Sequence, residues 1–217
     1  MEAFVIGGGT SLAGFDFNKL KDKNTIVVNK AISHVPNPNF FITMDYTFLR
    51  KLKQNIGDVV NKTDTTKVFI CNFSNPDLRH IGGYIKDIRC NIVYDLRHFD
   101  TIIKSKRTEG LGESFINFAH GENSGYCAFQ FAVAMGFSPI YLLGIDLVVQ
   151  RRKTNATHFH NGYNQQPVKF GLKLDKYSHY WKIGLKEAKK RKLKVYSCSA
   201  ISRLNNYIPY KKINGLL

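Results

Sequence analysis

Residues 124–146 read SGYCAFQFAVAMGFSPIYLLGID, and this stretch decides the fold. From Ser124 to Met135 the side chains are small or apolar on most sides, as in a helix buried against a sheet. Gly136 suits the C-terminal turn of that helix, and Pro139 follows where the helix cannot continue. Ile140 to Leu143 is then a short apolar strand ending in Gly144-Ile145-Asp146. A buried helix that leads directly into an apolar strand is the second half of a βαβ unit. The sheet is therefore expected to be largely parallel, with both faces covered.

Upstream, AFVIGGGTSL reads as a strand running into a glycine loop, and TIVVNKA (Thr25 to Ala31) as a second strand. Phe40–Met44, Lys67–Asn72 and Asn91–Tyr94 are further strand candidates, rich in branched or aromatic residues. A helix is expected over Tyr46–Gln54 and a polar loop over 55–66. Residues 97–123 mix basic residues and glycines without a period, as a lid or binding loop does. Downstream, Gln150–Lys153 opens a basic, His-containing loop reaching to 176. Ser178 is expected to cap a helix running to about Lys192, and Leu193–Cys198 to be the last strand. No segment repeats with a solenoid or propeller period. The expected fold is α/β: one Rossmann-like domain over 1–217, mostly parallel, with helices on both faces.

Composition agrees with a globular chain. The 217 residues are 43% apolar and 22% charged, which excludes collagen-like and wholly disordered classes. No apolar run approaches the roughly 18–20 residues that span a bilayer. The opening MEAFVIGGGTSL, acidic at Glu2, is not a signal peptide, so a cytoplasmic location is expected, with peripheral contact at the inner membrane face as an option. The four cysteines form no C-x-x-C pair, so reduced thiols are expected rather than a metal site or disulfide framework. Lys and Arg number 32 against 16 acids, a net charge of +16. That balance favours anionic partners: nucleotides, phospholipid head groups, acidic glycans or nucleic acid. Lysines that are merely solvated account for it equally well.

The candidate chemistry gathers where strands end. Gly7-Gly8-Gly9-Thr10-Ser11 lets the backbone approach a phosphate or sugar closely, with Ser11 as an added donor. It is neither a P-loop nor a G-x-G-x-x-G fingerprint. Asn29, Asp45 and Asp146 follow strands. Ligand contact and local capping are both open for Asn29 and Asp45, and Asp146 is expected to fix a loop. His179, in Ser178-His179-Tyr180, stands at the expected helix start. There the dipole favours a neutral imidazole, suited to a general base. His158 and His160 lack a third ligand, and the chain has no D-x-D, so no metal is expected.

Taken in order, the GGGTS loop, Asn29, Asp45, S-G-x(10)-G-x(4)-Y-L-x-G-I-D and SHY resemble the bacterial sialyltransferases of glycosyltransferase family 42. The resemblance extends to their broader relatives, flagellin-glycosylation-associated proteins and an archaeal pterin diphosphokinase. It runs through 4–12, 27–45, 124–147 and 178–199, about a third of the chain. It implies metal-independent transfer of sialic acid from CMP-sialic acid to a glycan hydroxyl, without a cofactor. By the same resemblance Gly9 and Ser11 lie beside the donor, and Asn29 binds nucleotide or sugar. Ser124 and Gly125 hold donor groups, and His179 takes the acceptor proton. Asp45 falls where the sialyltransferases carry an asparagine.

The chain departs from the family pattern at several positions. Gly8 replaces an asparagine, and Gly121 an arginine. The stretch 147–160, LVVQRRKTNATHFH, lacks the tyrosines that steady the leaving phosphate, with Arg151, Arg152 or His158 as candidate substitutes. Two other functions remain open: a nucleoside-triphosphate-dependent diphosphokinase of this fold, with Asp45 and Asp146 as its candidate acids, and a basic nucleic-acid-binding module. The expected partners are a nucleotide-activated sugar, a glycan or glycoconjugate acceptor, and an anionic membrane or other polyanion at the surface.

Overall fold

Buried, branched tetrapeptides build the centre of the sheet: β1 (Ala3–Ile6), β2 (Thr25–Val28) and β3 (Phe40–Thr43). The computed structural model describes residues 1–46, 48, 59–60, 63–72, 75, 77–88, 91–149, 158–159 and 167–217. Beyond β3 lies β4 (Thr66–Asn72). Three strands then form a separate antiparallel sheet: β5 (Leu78–Ile81), β6 (Tyr84–Asp87) and β7 (Ile92–Asp95). The chain returns to the main sheet as β8 (Thr101–Ser105). Helix α1 (Ser124–Ala134) then leads into β9 (Ile140–Leu143), and helix α2 (Pro167–Lys190) into β10 (Val195–Ser197).

The main sheet has the order β10-β9-β1-β2-β3-β4-β8, and every pairing in it is parallel. From β1 the chain steps outward in one direction to β8. Helix α1 then carries it back across the sheet to β9, on the other side of β1. The strand order thus reverses between β1 and β9, which is where open α/β sheets leave a crevice beyond their strand ends.

Alternation along β1 divides the core in two. Ala3 and Val5 face α1 and α2; Phe4 and Ile6 face the opposite layer. Residues Ser124 to Ala132 of α1 are all buried, as its apolar composition requires. Trp181 of α2 is fully buried, stacked on Phe129 at 5.3 Å and edge-on to Tyr126 at 5.1 Å. Such pairs add about 0.5–1.5 kcal/mol beyond area burial. The opposite layer holds 3-10 turns, the small sheet, and the helical residues Phe48 and Val60. Among the described residues no helix is long and apolar enough to cross a membrane.

Four local expectations need correction. First, α2 begins at Pro167, eleven residues before the expected cap. Proline suits a first helical position, and Leu174, Tyr177 and Trp181 continue one buried or half-buried face. Ser178 lies mid-helix, its hydroxyl donating to the Leu174 carbonyl at 2.7 Å. Second, part of the irregular segment 97–123 is β8, an edge strand with only Ile103 and Ser105 buried. Outward lysines are common on edge strands, and Lys104 disguises this one. Third, β7 belongs to the small sheet, and its hairpin partners β5 and β6 were not anticipated. Fourth, Val59 and Val60 are helical where a loop was expected. Tyr46 and Phe48 are helical as expected; the rest of 46–54, and the loop 150–166 apart from His158 and Phe159, lie outside the described residues.

Candidate active site

The site begins where β1 and β9 end side by side, Ile6 in register with Leu143. The Gly7 amide donates to the Leu143 carbonyl and the Gly9 amide to that of Gly144, each at 2.8 Å. This approach leaves no room for side chains. A Cβ on Gly7 would lie 2.5 Å from Ile145 Cδ1, and one on Gly9 2.5 Å from Asp146 Cγ. Asp146, 3% exposed, accepts the Ser11 amide at 2.8 Å and the Ser11 hydroxyl at 2.7 Å. Its carboxylate therefore ties the two loops together, the loop-fixing role expected of it.

A cavity of about 660 Å³ opens over these loops, within the range of small-molecule sites. Asn29 and Asp45 reach it from the ends of β2 and β3. Asn29 holds a left-handed backbone (φ 51°), which asparagine tolerates better than most residues. Its Oδ1 accepts the Thr43 hydroxyl at 2.7 Å, and Thr43 Oγ1 accepts the Asp45 amide at 3.1 Å. One threonine thus sets the spacing of both residues and leaves Asn29 Nδ2 without a partner among the described residues.

The N-terminus of α1 forms the next wall. Asn123 caps it by accepting the Tyr126 amide at 3.0 Å, and Ser124 Oγ accepts the Met44 amide at 3.2 Å. A Cβ on Gly125 would lie 2.9 Å from both Asn123 Oδ1 and Ile145 Cδ1, so the first turn packs flush against the β9 loop. Helix α2 adds Lys173 and Tyr177, the small sheet adds Asp87 and Tyr94, and His158 closes the rim. Burial, then the charges of Glu122 and Asp45, raises the Tyr177 pKa, so its hydroxyl stays a neutral donor. Behind the wall, burial lowers the pKa of His120, whose Nδ1 accepts the Glu122 amide at 3.0 Å. Glu122 itself pairs with Lys176 at 2.6 Å. Among the described lining residues Lys173 and His158 are the only basic side chains.

Of the residues singled out in the sequence, Gly9, Asn29, Asp45, Ser124 and Gly125 meet at this cavity. Ser11 and His179 are not among its lining residues. The hydroxyl hydrogen of Ser11 is already committed to Asp146. His179 lies mid-helix rather than in a first turn, so the dipole argument for it falls. It is exposed, with Nε2 3.7 Å from Glu109 Oε1. Lys173, Tyr177, Asn123 and Asp87 were missed. Asn123 could have been read as a cap directly before Ser124-Gly125. Lys173 and Tyr177 share a helical face, visible only once the helix is begun at Pro167. Arg151, Arg152 and His160 lie outside the described residues. Among the described residues no three His, Cys, Asp or Glu side chains gather as a metal site.

No family model matches the sequence, and no curated protein matches it. Solved structures do match. The sialyltransferase CstII from Campylobacter jejuni, in complex with the substrate analogue CMP-3FNeuAc, superposes with a TM-score of 0.52 at 18% identity, over 96% of this chain and 85% of that one. CstII with trisaccharide acceptor and CMP gives 0.54 at 16% identity, over 97% and 86%. The MAf glycosyltransferase from Magnetospirillum magneticum AMB-1 gives 0.52 at 13% identity, over 99% of this chain but only 34% of that larger one. The chain shares the fold of these transferases. Its largely parallel α/β sheet is the architecture expected from the sequence; the reversal between β1 and β9 is what the structure adds.

Proposed function

We propose that the chain is a glycosyltransferase that takes a sugar from a nucleotide-activated donor, best matched by CMP-sialic acid, and passes it to a glycan hydroxyl. The observation that carries this reading is the cavity at the β1/β9 reversal, in a fold whose solved members include CMP complexes. The flush glycine loop leaves backbone open to a flat nucleoside, and Asn29 Nδ2 offers it a donor. The amides at the start of α1 favour an anion. Lys173 and His158, the basic side chains of the described lining, would offset charge building on a departing phosphate. In this reading no metal takes part. His179 is the base of this reading by the resemblance of Ser178-His179-Tyr180 alone, since it is exposed on α2 and outside the lining.

A second reading has one observation in its favour. Asp45, Asp87, Glu122 and Asp146 all line the cavity, as magnesium-dependent diphosphate transfer would ask. Asp146 is held by Ser11 and Glu122 by Lys176, however, and among the described residues no three such acids gather as a metal site. A transfer assay from CMP-sialic acid to an oligosaccharide acceptor separates the readings. Transfer should persist in EDTA. Loss in EDTA with recovery on magnesium, together with nucleoside-triphosphate consumption, favours the diphosphokinase. In the same assay His179→Ala should lower turnover by about 10²–10⁴-fold with donor affinity unchanged. Unaltered turnover, with chemistry rate-limiting, removes His179 from the mechanism.

A further inference from the structure

The turn that enters helix α1 is built around one histidine that the transfer chemistry does not use. His120 is fully buried. Its amide donates to the Arg107 carbonyl at 3.0 Å, and its carbonyl accepts the Asn123 amide at 3.1 Å and the Cys127 thiol at 3.3 Å. Nδ1 accepts the Glu122 amide at 3.0 Å, so the ring proton sits on Nε2, which lies 3.5 Å from Thr108 Oγ1. These bonds hold an unfavourable stretch of backbone, since Gly121 and Glu122 both take positive φ, 54° and 50°. Residue 121 has to be glycine, because a Cβ there would lie 2.6 Å from Tyr126 Cδ1. Glutamate is strained in the left-handed region, and local bonds must keep it there. His120 supplies one of them to its amide, and Lys176 another to its carboxylate at 2.6 Å. Directly after this pair come Asn123, Ser124 and Gly125 at the cavity wall. Asn123 caps the Tyr126 amide, whereas the amides of Ser124 and Gly125 meet no acceptor among the described residues.

We propose that His120 is a positioning residue for anion binding: by holding the Gly121–Glu122 turn it keeps the free amides of Ser124 and Gly125 at the cavity wall, where they meet the phosphate of a bound nucleotide. The role rests on the nucleotide reading of the cavity. What the turn needs is an acceptor at the place of Nδ1. Without one the Glu122 amide loses its partner and the residue relaxes toward negative φ. Asn123 is the next residue, so the cap turns with it and the two amides lose their alignment. Asparagine can put Oδ1 close to where Nδ1 stands. Glutamine fills more of the imidazole space but carries its acceptor near the place of Nε2, and alanine offers none. The three substitutions therefore separate the acceptor from the volume of the ring.

Calorimetric titration of CMP and of cytidine into the native protein and the three variants tests it. His120→Ala and His120→Gln should weaken CMP binding about tenfold or more, as loss of bonds to a charged group does. Cytidine has no phosphate and should change by no more than about twofold. His120→Asn should bind CMP within about threefold of native. It should nevertheless melt lower than the glutamine variant, because its smaller side chain leaves a void. Affinity would then follow the acceptor and stability the volume, and the asparagine and glutamine variants decide this even if His120→Ala does not fold. Parallel weakening of CMP and cytidine, or an asparagine variant no better than glutamine, overturns the proposal and leaves His120 as packing. CMP binding equal to native in all the variants overturns it as well. Absence of CMP binding to the native protein overturns the nucleotide reading, and the positioning role with it.

Discussion

At the scale of single residues, Ser11 and Asn29 look alike in sequence, each a small polar residue beside an apolar strand, but the structure gives them different work. The hydroxyl of Ser11 donates to a buried carboxylate, and a bond to a charged group contributes about 1.5–3 kcal/mol. Ser11→Ala should therefore lower stability by about that amount in urea unfolding. An unchanged melt with lost nucleotide binding would move Ser11 back to the ligand. Asn29 combines a left-handed backbone with the Thr43 bond. Asn29→Ala should cost about 2 kcal/mol, roughly half from forcing alanine to positive φ. Asn29→Gly removes the same amide without the backbone strain, so it should melt higher than Asn29→Ala while losing ligand affinity equally. Matching melting temperatures for the two would contradict the backbone argument.

At the scale of elements, legibility followed punctuation. Helix α1 and strand β9 were readable to within a residue because Gly136 takes the left-handed C-terminal turn (φ 77°) and Pro139 stops the helix. Helix α2 was misread because Ser178 resembles a cap, although it lies mid-helix with its hydroxyl donating to the Leu174 carbonyl. The β5–β6 hairpin carried a signal that went unread: Gly82-Gly83 between two apolar-containing runs is a two-residue turn, and Gly82 has φ 56°. Strand β8 gave little signal, since an edge strand buries one face of a short alternation.

The two interior glycines of α2 give opposite predictions. Gly171 has nothing within 4 Å of an added Cβ, so Gly171→Ala should stabilise by about 0.5–1 kcal/mol through helix propensity. At Gly184 an added Cβ would collide with the Tyr126 hydroxyl, which donates to the Gly110 carbonyl at 2.6 Å. Gly184→Ala should destabilise by about 1–3 kcal/mol despite its better propensity. Thermal melts of the two variants check the pair; the same sign for both would mean that packing of α2 on α1 does not govern this helix.

At the scale of the whole molecule, the parallel sheet explains which site residues could be foreseen. Gly9, Asn29 and Asp45 each follow a strand, and a parallel sheet brings such positions to one edge whatever the details of register. Lys173, Tyr177, Asp87 and Tyr94 come to the same cavity from α2 and from the small sheet, whose placement depends on packing that no local pattern encodes. The sequence resemblance and the shared fold agree on architecture. The claim beyond architecture is that a nucleotide occupies the crevice between β1 and β9. Calorimetric titration of CMP into the protein and into Asn29→Gly tests it most directly. The account predicts saturable binding at one site, with affinity reduced about three- to tenfold in the variant for one lost hydrogen bond. Absence of CMP binding to the native chain, or binding that Asn29→Gly leaves unaltered, would contradict it.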